Sequence, residues 1–169
     1  MIKLIEKLFN INIDWKMIKL ISSFLQDRKM RVQIKLSFSD WVAVLSGVPQ
    51  GSVMGFLLFL IFINDLPLWI RNSRLLMFAD DTKISRKVSK VEDGFLLQQD
   101  LDCLMEWSKY WRLDFNIDKC TIMRIQQCCH DKFKLNGNKL QEVTKEKDLG
   151  IIVTKDLKPS VQMPADRKC

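Results

Sequence analysis

Apolar residues recur along the first 25 positions at helical rather than alternating spacing. Trp15, Ile18, Ile21 (or Ser22) and Leu25 fall three or four apart, which predicts an amphipathic helix. A similar short helix precedes it, and Asn10-Ile11-Asn12 separates the two. Asp14 stands at the start of the second, where a short carboxylate can cap free backbone N–H groups. Residues 31–34 and 41–45 then read as extended, with residues 37–40 as the turn of a hairpin. A polar, Gly-punctuated turn follows, Ser46-Gly47-Val48-Pro49-Gln50-Gly51-Ser52. It leads into a continuous apolar run over residues 53–63. Ser52 is placed to cap a helix reaching about Asp65, and Pro67 ends it.

Residues 75–79 form a short apolar run flanked by Arg74 and Asp80, read as a buried strand. A second strand is expected over 82–88, with a tight acidic turn between them. From Val91 to about Tyr110 the period is helical again. Leu97, Leu101, Leu104 and Ser108 (or Trp107) trace one face, and Asp and Glu occupy the other. Residues 113–116 and 121–126 look extended. Asn136-Gly137, inside residues 133–140, is the strongest short hairpin signal. Residues 149–154 read as a last strand, and the chain trails off from Lys158-Pro159. Strands interleaved with helices and joined partly by hairpins predict an α+β domain with a mainly antiparallel sheet. There is no internal repeat and no linker that would split it.

Composition agrees with an ordinary globular domain: 169 residues, 47% hydrophobic and 28% charged. The apolar run 53–63 is far short of the roughly 20 residues that span a bilayer, and no secretory signal is visible, so neither membrane nor secretion is expected. Five cysteines lie at 103, 120, 128, 129 and 169 without framework spacing. Cys128-Cys129-His130 is too small a set for structural zinc. Reduced thiols in the nucleus or cytoplasm are expected instead. The formal charge of +7 adds a preference for polyanions. It is clustered in Arg28, Lys29, Arg31 and Lys35, and again in Lys83, Arg86, Lys87 and Lys90. A solvated basic face would look the same, so charge alone decides little.

Phe78-Ala79-Asp80-Asp81 is the sharpest chemical feature. Adjacent carboxylates at a strand-turn-strand bend put like charges where they repel. Asp favours turns in any case, yet carboxylate oxygens are also the ligands Mg²⁺ prefers. Two such ions can hold the attacking and leaving oxygens of a phosphoryl transfer. The Pro49-Gln50-Gly51 turn, opening a helix, offers backbone N–H groups and an amide to a nucleotide or template backbone. A rigid capped helix start is an equally adequate reading of that turn.

Taken together, these segments resemble the reverse transcriptases of non-LTR, LINE-type retrotransposons of the jockey and CR1-like group. GVPQGSVMGFLLFLIFINDLP (47–67) is similar to the family's Pro-Gln-Gly motif, and LLMFADDTKI (75–84) to its metal-binding motif. WRLDFNIDKCTIM (111–123) and LNGNKLQEVTKEKDLGIIVTKDL (135–157) follow in family order. The resemblance implies a palm-like antiparallel sheet with packed helices. It implies RNA-directed DNA polymerase chemistry, with an RNA template, a DNA primer and dNTP as partners and Mg²⁺ or Mn²⁺ as cofactor. It assigns metal binding and catalysis to Asp80 and Asp81. Phe78, Ala79, Pro49, Gln50 and Gly51 would contact nucleotide and template. Lys119 would assist the departing pyrophosphate, as an ammonium near developing negative charge can. Leu149 and Gly150 fall in the primer-grip region.

The departures matter as much. The family's partner aspartate lies on a strand upstream of the residues present, and Asp14, Asp27, Asp40 and Asp65 do not replace it. By the same resemblance the fingers are not expected among these residues, and Phe56 stands where the family usually has Pro. Residues 1–154 are therefore expected to be a partial reverse transcriptase domain, palm and connecting region. Residues 155–169 are expected to begin a thumb-like segment or form a disordered tail. Alone, the chain is expected to be inactive, with weak or no metal binding and with apolar palm surface exposed to a partner or to aggregation. A non-catalytic, basic, nucleic-acid-binding remnant of a decayed element is the alternative.

Overall fold

A computed structural model describes residues 2–49, 51–125 and 132–157. Gln50 and the Cys128-Cys129-His130 cluster, together with Cys169 and Lys158-Pro159, lie outside the described residues. The chain divides into two units, Met1–Pro67 and Leu68–Cys169.

In the first unit the helical periodicity is realised as α1 (Ile2–Asn10) and α2 (Trp15–Leu25). The Asp14 carboxylate caps α2 by accepting from the Lys16 N–H at 2.8 Å. Asn12, at φ 57°, turns the chain between them. Leu4 and Leu8 of α1 pack with Ile18, Ile21 and Leu25 of α2, and Leu58 completes the core from α3 (Val53–Ile63). Each such side chain contributes about 1.5–3 kcal/mol on burial. Trp15, expected on the buried stripe, is instead half exposed and stacks on Phe9 at 5.6 Å.

Lys7 is buried in this apolar setting. Its ammonium donates to the Phe62 carbonyl and to Asp65. Desolvation lowers its pKa from the usual lysine value, against the opposing pull of Asp65. Asp65 is thus a structural partner, which accounts for its place just after α3.

The hairpin expected over residues 31–45 exists in a different register. β1 (Lys29–Met30) pairs with β4 (Val42–Ala43), and β2 (Gln33–Ile34) pairs with β3 (Ser37–Phe38), both antiparallel. The turn is therefore Lys35-Leu36, with Lys35 at φ 55°, rather than residues 37–40.

The second unit holds β5 (Arg74–Phe78), β6 (Asp81–Ser85), α4 (Val91–Trp111) and β7 (Thr121–Met123). These are followed by β8 (Lys134–Leu135), β9 (Asn138–Lys139), β10 (Gln141–Val143), β11 (Lys145–Asp148) and β12 (Ile151–Thr154). α4 stops where Arg112 adopts the left-handed conformation, φ 57°. Leu101, Leu104, Trp107 and Trp111 line its buried face, and Phe133, Leu135 and Leu140 are buried in the same unit. Gln98 joins α4 to β8 by exchanging two 2.9 Å hydrogen bonds with the Lys134 backbone.

Asn136-Gly137 makes the predicted hairpin turn, both residues at positive φ. Other expectations need correction. The described strands form six separate two-stranded pairs, one of which, β7 with β10, is parallel, so no single antiparallel sheet is present among them. The chain is mixed helix and strand, compatible with α+β. Residues 113–116 are not a strand. They lead into a 3-10 turn, Ile117–Lys119, closed by the Cys120 N–H donating to the Ile117 carbonyl. β6 ends at Ser85 rather than Val88, opposite Arg74, where its partner strand β5 begins. Leu149-Gly150 is the turn joining β11 to β12, with φ 48° and 86°, rather than the start of a strand.

Candidate functional site

β5 and β6 pair in register from Arg74↔Ser85 to Phe78↔Asp81, so only Ala79 and Asp80 form the turn. Ala79 carries the bend at φ 50°, a conformation an L-residue adopts at some cost. Asp81 directly opposes Phe78 and so shares its face of the ribbon. Burial alternates strictly along both strands. Leu76, Phe78, Asp81 and Lys83 lie on the exposed face, and Leu75, Met77, Thr82 and Ile84 on the half-buried one. Asp80 is exposed at the tip. Among the described residues, neither aspartate side chain makes a hydrogen bond or ion pair.

The base of this hairpin is held by a polar network that sequence reasoning missed. Asp100, in the middle of α4, is 1% exposed. Its carboxylate accepts from the Arg71 N–H at 3.1 Å, the Asn72 N–H at 3.1 Å and the Asn72 Nδ2 at 3.2 Å. Arg86, just past β6, donates to the Asn72 carbonyl and, at 3.2 Å, to Asp93. Asp93 in turn accepts from the Ser89 and Lys90 N–H groups at the start of α4. Those two bonds, with Arg86 beside it, hold the Asp93 carboxyl below the usual carboxylate range. The residues before β5 and after β6 are therefore both fastened to α4, and the turn extends from a fixed base. One signal was available. Asp100 interrupts the apolar stripe of Leu97, Leu101 and Leu104, where an acid needs a specific partner.

Nearer the tip, Lys83 of β6 forms an ion pair with Asp148, the last residue of β11. This bond ties the acidic hairpin to the hairpin that turns at Leu149-Gly150. Lys119 closes the 3-10 turn with its side chain exposed and makes no ion pair among the described residues. Nothing joins it to Asp80 or Asp81.

In the other unit, Pro49 and Gly51 flank the helix start as expected. Ser52 caps α3, accepting from the Gly55 N–H at 2.9 Å and donating to the Pro49 carbonyl at 2.8 Å. A Cβ on Gly55 would lie 2.4 Å from the Pro49 carbonyl oxygen. In a free helix Gly→Ala stabilises by about 1 kcal/mol. Here Gly55→Ala should do the reverse, destabilising by about 1–3 kcal/mol through overpacking. A thermal or urea unfolding midpoint at or above that of the unmodified chain would show that the turn yields.

Carboxylate oxygens suit a hard divalent cation in kind. In number they fall short of the expected metal site. Among the described residues, no group of three or more His, Cys, Asp or Glu is placed to hold a metal ion. Likewise, no helix among them is long and apolar enough to cross a membrane.

The family model described as Reverse transcriptase (RNA-dependent DNA polymerase) matches residues 1–153. The RNA-directed DNA polymerase from mobile element jockey of Drosophila funebris is 30% identical over 152 residues, covering 84% of this chain and 17% of that protein. The probable RNA-directed DNA polymerase from transposon BS of Drosophila melanogaster is 32% identical over 151 residues, 81% of this chain and 16% of that protein. The chain thus spans about a sixth of the length of these relatives. No solved structure is similar to it. The order of the motifs, the extent of the family match and the mobile-element relatives agree: the chain belongs to the reverse transcriptase (RNA-dependent DNA polymerase) family, in its non-LTR, LINE-type retrotransposon branch.

Proposed function

We propose that the 74–85 hairpin is the cation-holding element of an RNA-directed DNA polymerase that extends a primer on an RNA template, and that this chain alone does not polymerise. The observation that carries the reading is the state of Asp80 and Asp81. Two neighbouring carboxylates stand exposed at a strained bend with no counter-ion among the described residues, on a hairpin fastened firmly at its base. Their mutual repulsion is an arrangement that a bound cation would relieve. Mg²⁺ or Mn²⁺ held there would neutralise charge on nucleotide phosphate oxygens. Phe78 and Ala79 fix the approach to the tip. Lys119 supplies an ammonium for the leaving group, and Leu149-Gly150 lies on the hairpin that Lys83 and Asp148 tether for the primer. Pro49, Gln50 and Gly51 are assigned to the nucleotide and template, and the setting is the nucleus or cytoplasm.

With two carboxylates and no third ligand among the described residues, binding should be weak, of about millimolar order. Mn²⁺ titration followed by electron paramagnetic resonance tests this. Saturable binding by the unmodified chain, lost in Asp80→Asn/Asp81→Asn, is expected. Binding that the double substitution leaves unchanged would refute the assignment. A primer-extension assay with poly(rA)/oligo(dT) and Mg²⁺ should show no incorporation. Incorporation that Asp80→Asn abolishes would show that the chain is a complete enzyme.

A further inference from the structure

The 29–43 segment belongs to neither the core nor the acidic hairpin, and every residue in it is exposed. Its two strand pairs are parts of one ribbon. Val44 N–H donates to the Arg28 carbonyl at 2.8 Å, and Ser39 N–H to the Val32 carbonyl at 3.0 Å. The register shifts by one residue between Met30↔Val42 and Gln33↔Phe38. The extra residue lies at Asp40-Trp41, opposite Arg31, and makes a β-bulge, a device that re-aims side chains.

The consequence is two unlike faces. Strand alternation puts Met30, Val32, Ile34 and Val42 on one. It puts Lys29, Arg31, Gln33 and Phe38 on the other, where the bulge adds Trp41. There the Arg31 guanidinium lies over the Phe38 ring at 3.9 Å and over the Trp41 ring at 4.7 Å. Both rings remain more than half exposed, at 51% and 60%. Lys29 and Lys35 have no acidic partner among the described residues, and Asp40 is the only acid within the ribbon.

We propose that this face is a binding platform for single-stranded nucleic acid. Phe38 and Trp41 stack bases, and Lys29, Arg31 and Lys35 meet the phosphates. Exposed rings held in place by a guanidinium, beside unpaired cations, match the chemistry of base stacking along a charged backbone. A duplex hides its base faces and offers these rings nothing to stack on. The platform lies within the first unit and needs no divalent cation. It is therefore independent of the Asp80–Asp81 assignment, although both would serve the same polymerase.

The test is fluorescence anisotropy of the full chain with fluorescein-labelled dT12 and rU12, in EDTA. Phe38→Leu/Trp41→Leu keeps the charge and the apolar character and removes the aromatic faces, along with the Arg31 contacts to them. It should weaken binding by roughly 10-fold or more, since stacking contributes roughly 1–3 kcal/mol per base. Lys29→Ala/Arg31→Ala should lower the slope of log affinity against log salt by about 1–1.5. A 12-base-pair duplex should compete poorly. Unchanged binding by the leucine variant, equal competition by duplex, or no binding by the unmodified chain overturns the proposal. Repeating the titration with Asp80→Asn/Asp81→Asn separates the two assignments, because affinity in EDTA should not change.

Discussion

Asp100→Ala is expected to destabilise the second unit by on the order of 3 kcal/mol, and to loosen the acidic hairpin before anything else. The carboxylate it removes is 1% exposed and accepts from two backbone N–H groups and one amide. Those donors would be left without their acceptor, and the cost of an unpaired donor beside the buried site exceeds the benefit of an ordinary hydrogen bond. The effect should be local in its first stage. Asn72 is the residue through which Asp100 and Arg86 grip the two ends of the hairpin. Amide hydrogen exchange should accelerate across residues 74–85 while residues 134–139, joined to α4 through Gln98, keep their protection. A uniform increase over the whole unit would mean that Asp100 serves general stability rather than the base of this hairpin. No increase would mean that the network does not hold it.

Much of this was legible in the sequence where one local rule acts alone. Helical spacing located α2 and α4, Asp14 and Ser52 capped as short polar residues do, and Asn136-Gly137 turned as its dipeptide prefers. What failed depended on partners far along the chain. Ser37-Phe38-Ser39-Asp40 looks like the turn of this hairpin, whereas Ser37 and Phe38 pair, Asp40 falls in the bulge and the bend lies at Lys35-Leu36. Leu149, being apolar, continues the strand pattern in the sequence, yet Asp148↔Ile151 pairing leaves it in the turn. The sequence places the acids of α4 on its solvated face, yet Asp100 is buried. Only the backbone of residues 71 and 72, reached through tertiary folding, explains why it is buried. The acidic pair is legible in its motif, but only the fold shows that neither carboxylate has a side-chain partner among the described residues.

The second large effect should come from Trp107→Ala. Trp107 is 1% exposed, the largest of the fully buried side chains, and its ring lies 6.1 Å from that of Phe115. It follows Leu101 and Leu104 on the buried stripe of α4 that continues to Trp111. Deleting so large a side chain removes its transfer free energy and leaves a cavity that the neighbours refill only in part. The expected loss is about 3–5 kcal/mol. In a domain whose total stability is about 5–15 kcal/mol, that is a large fraction, and the thermal midpoint should fall by on the order of 10 °C. Near-ultraviolet circular dichroism should report the same loss through the remaining aromatic rings. Trp107→Phe, which keeps much of the volume, should recover more than half of it. If the alanine variant instead melts within a degree or two of the unmodified chain, Trp107 is not what holds α4 in place, and the base on which the acidic hairpin stands must be fixed by its polar bonds alone.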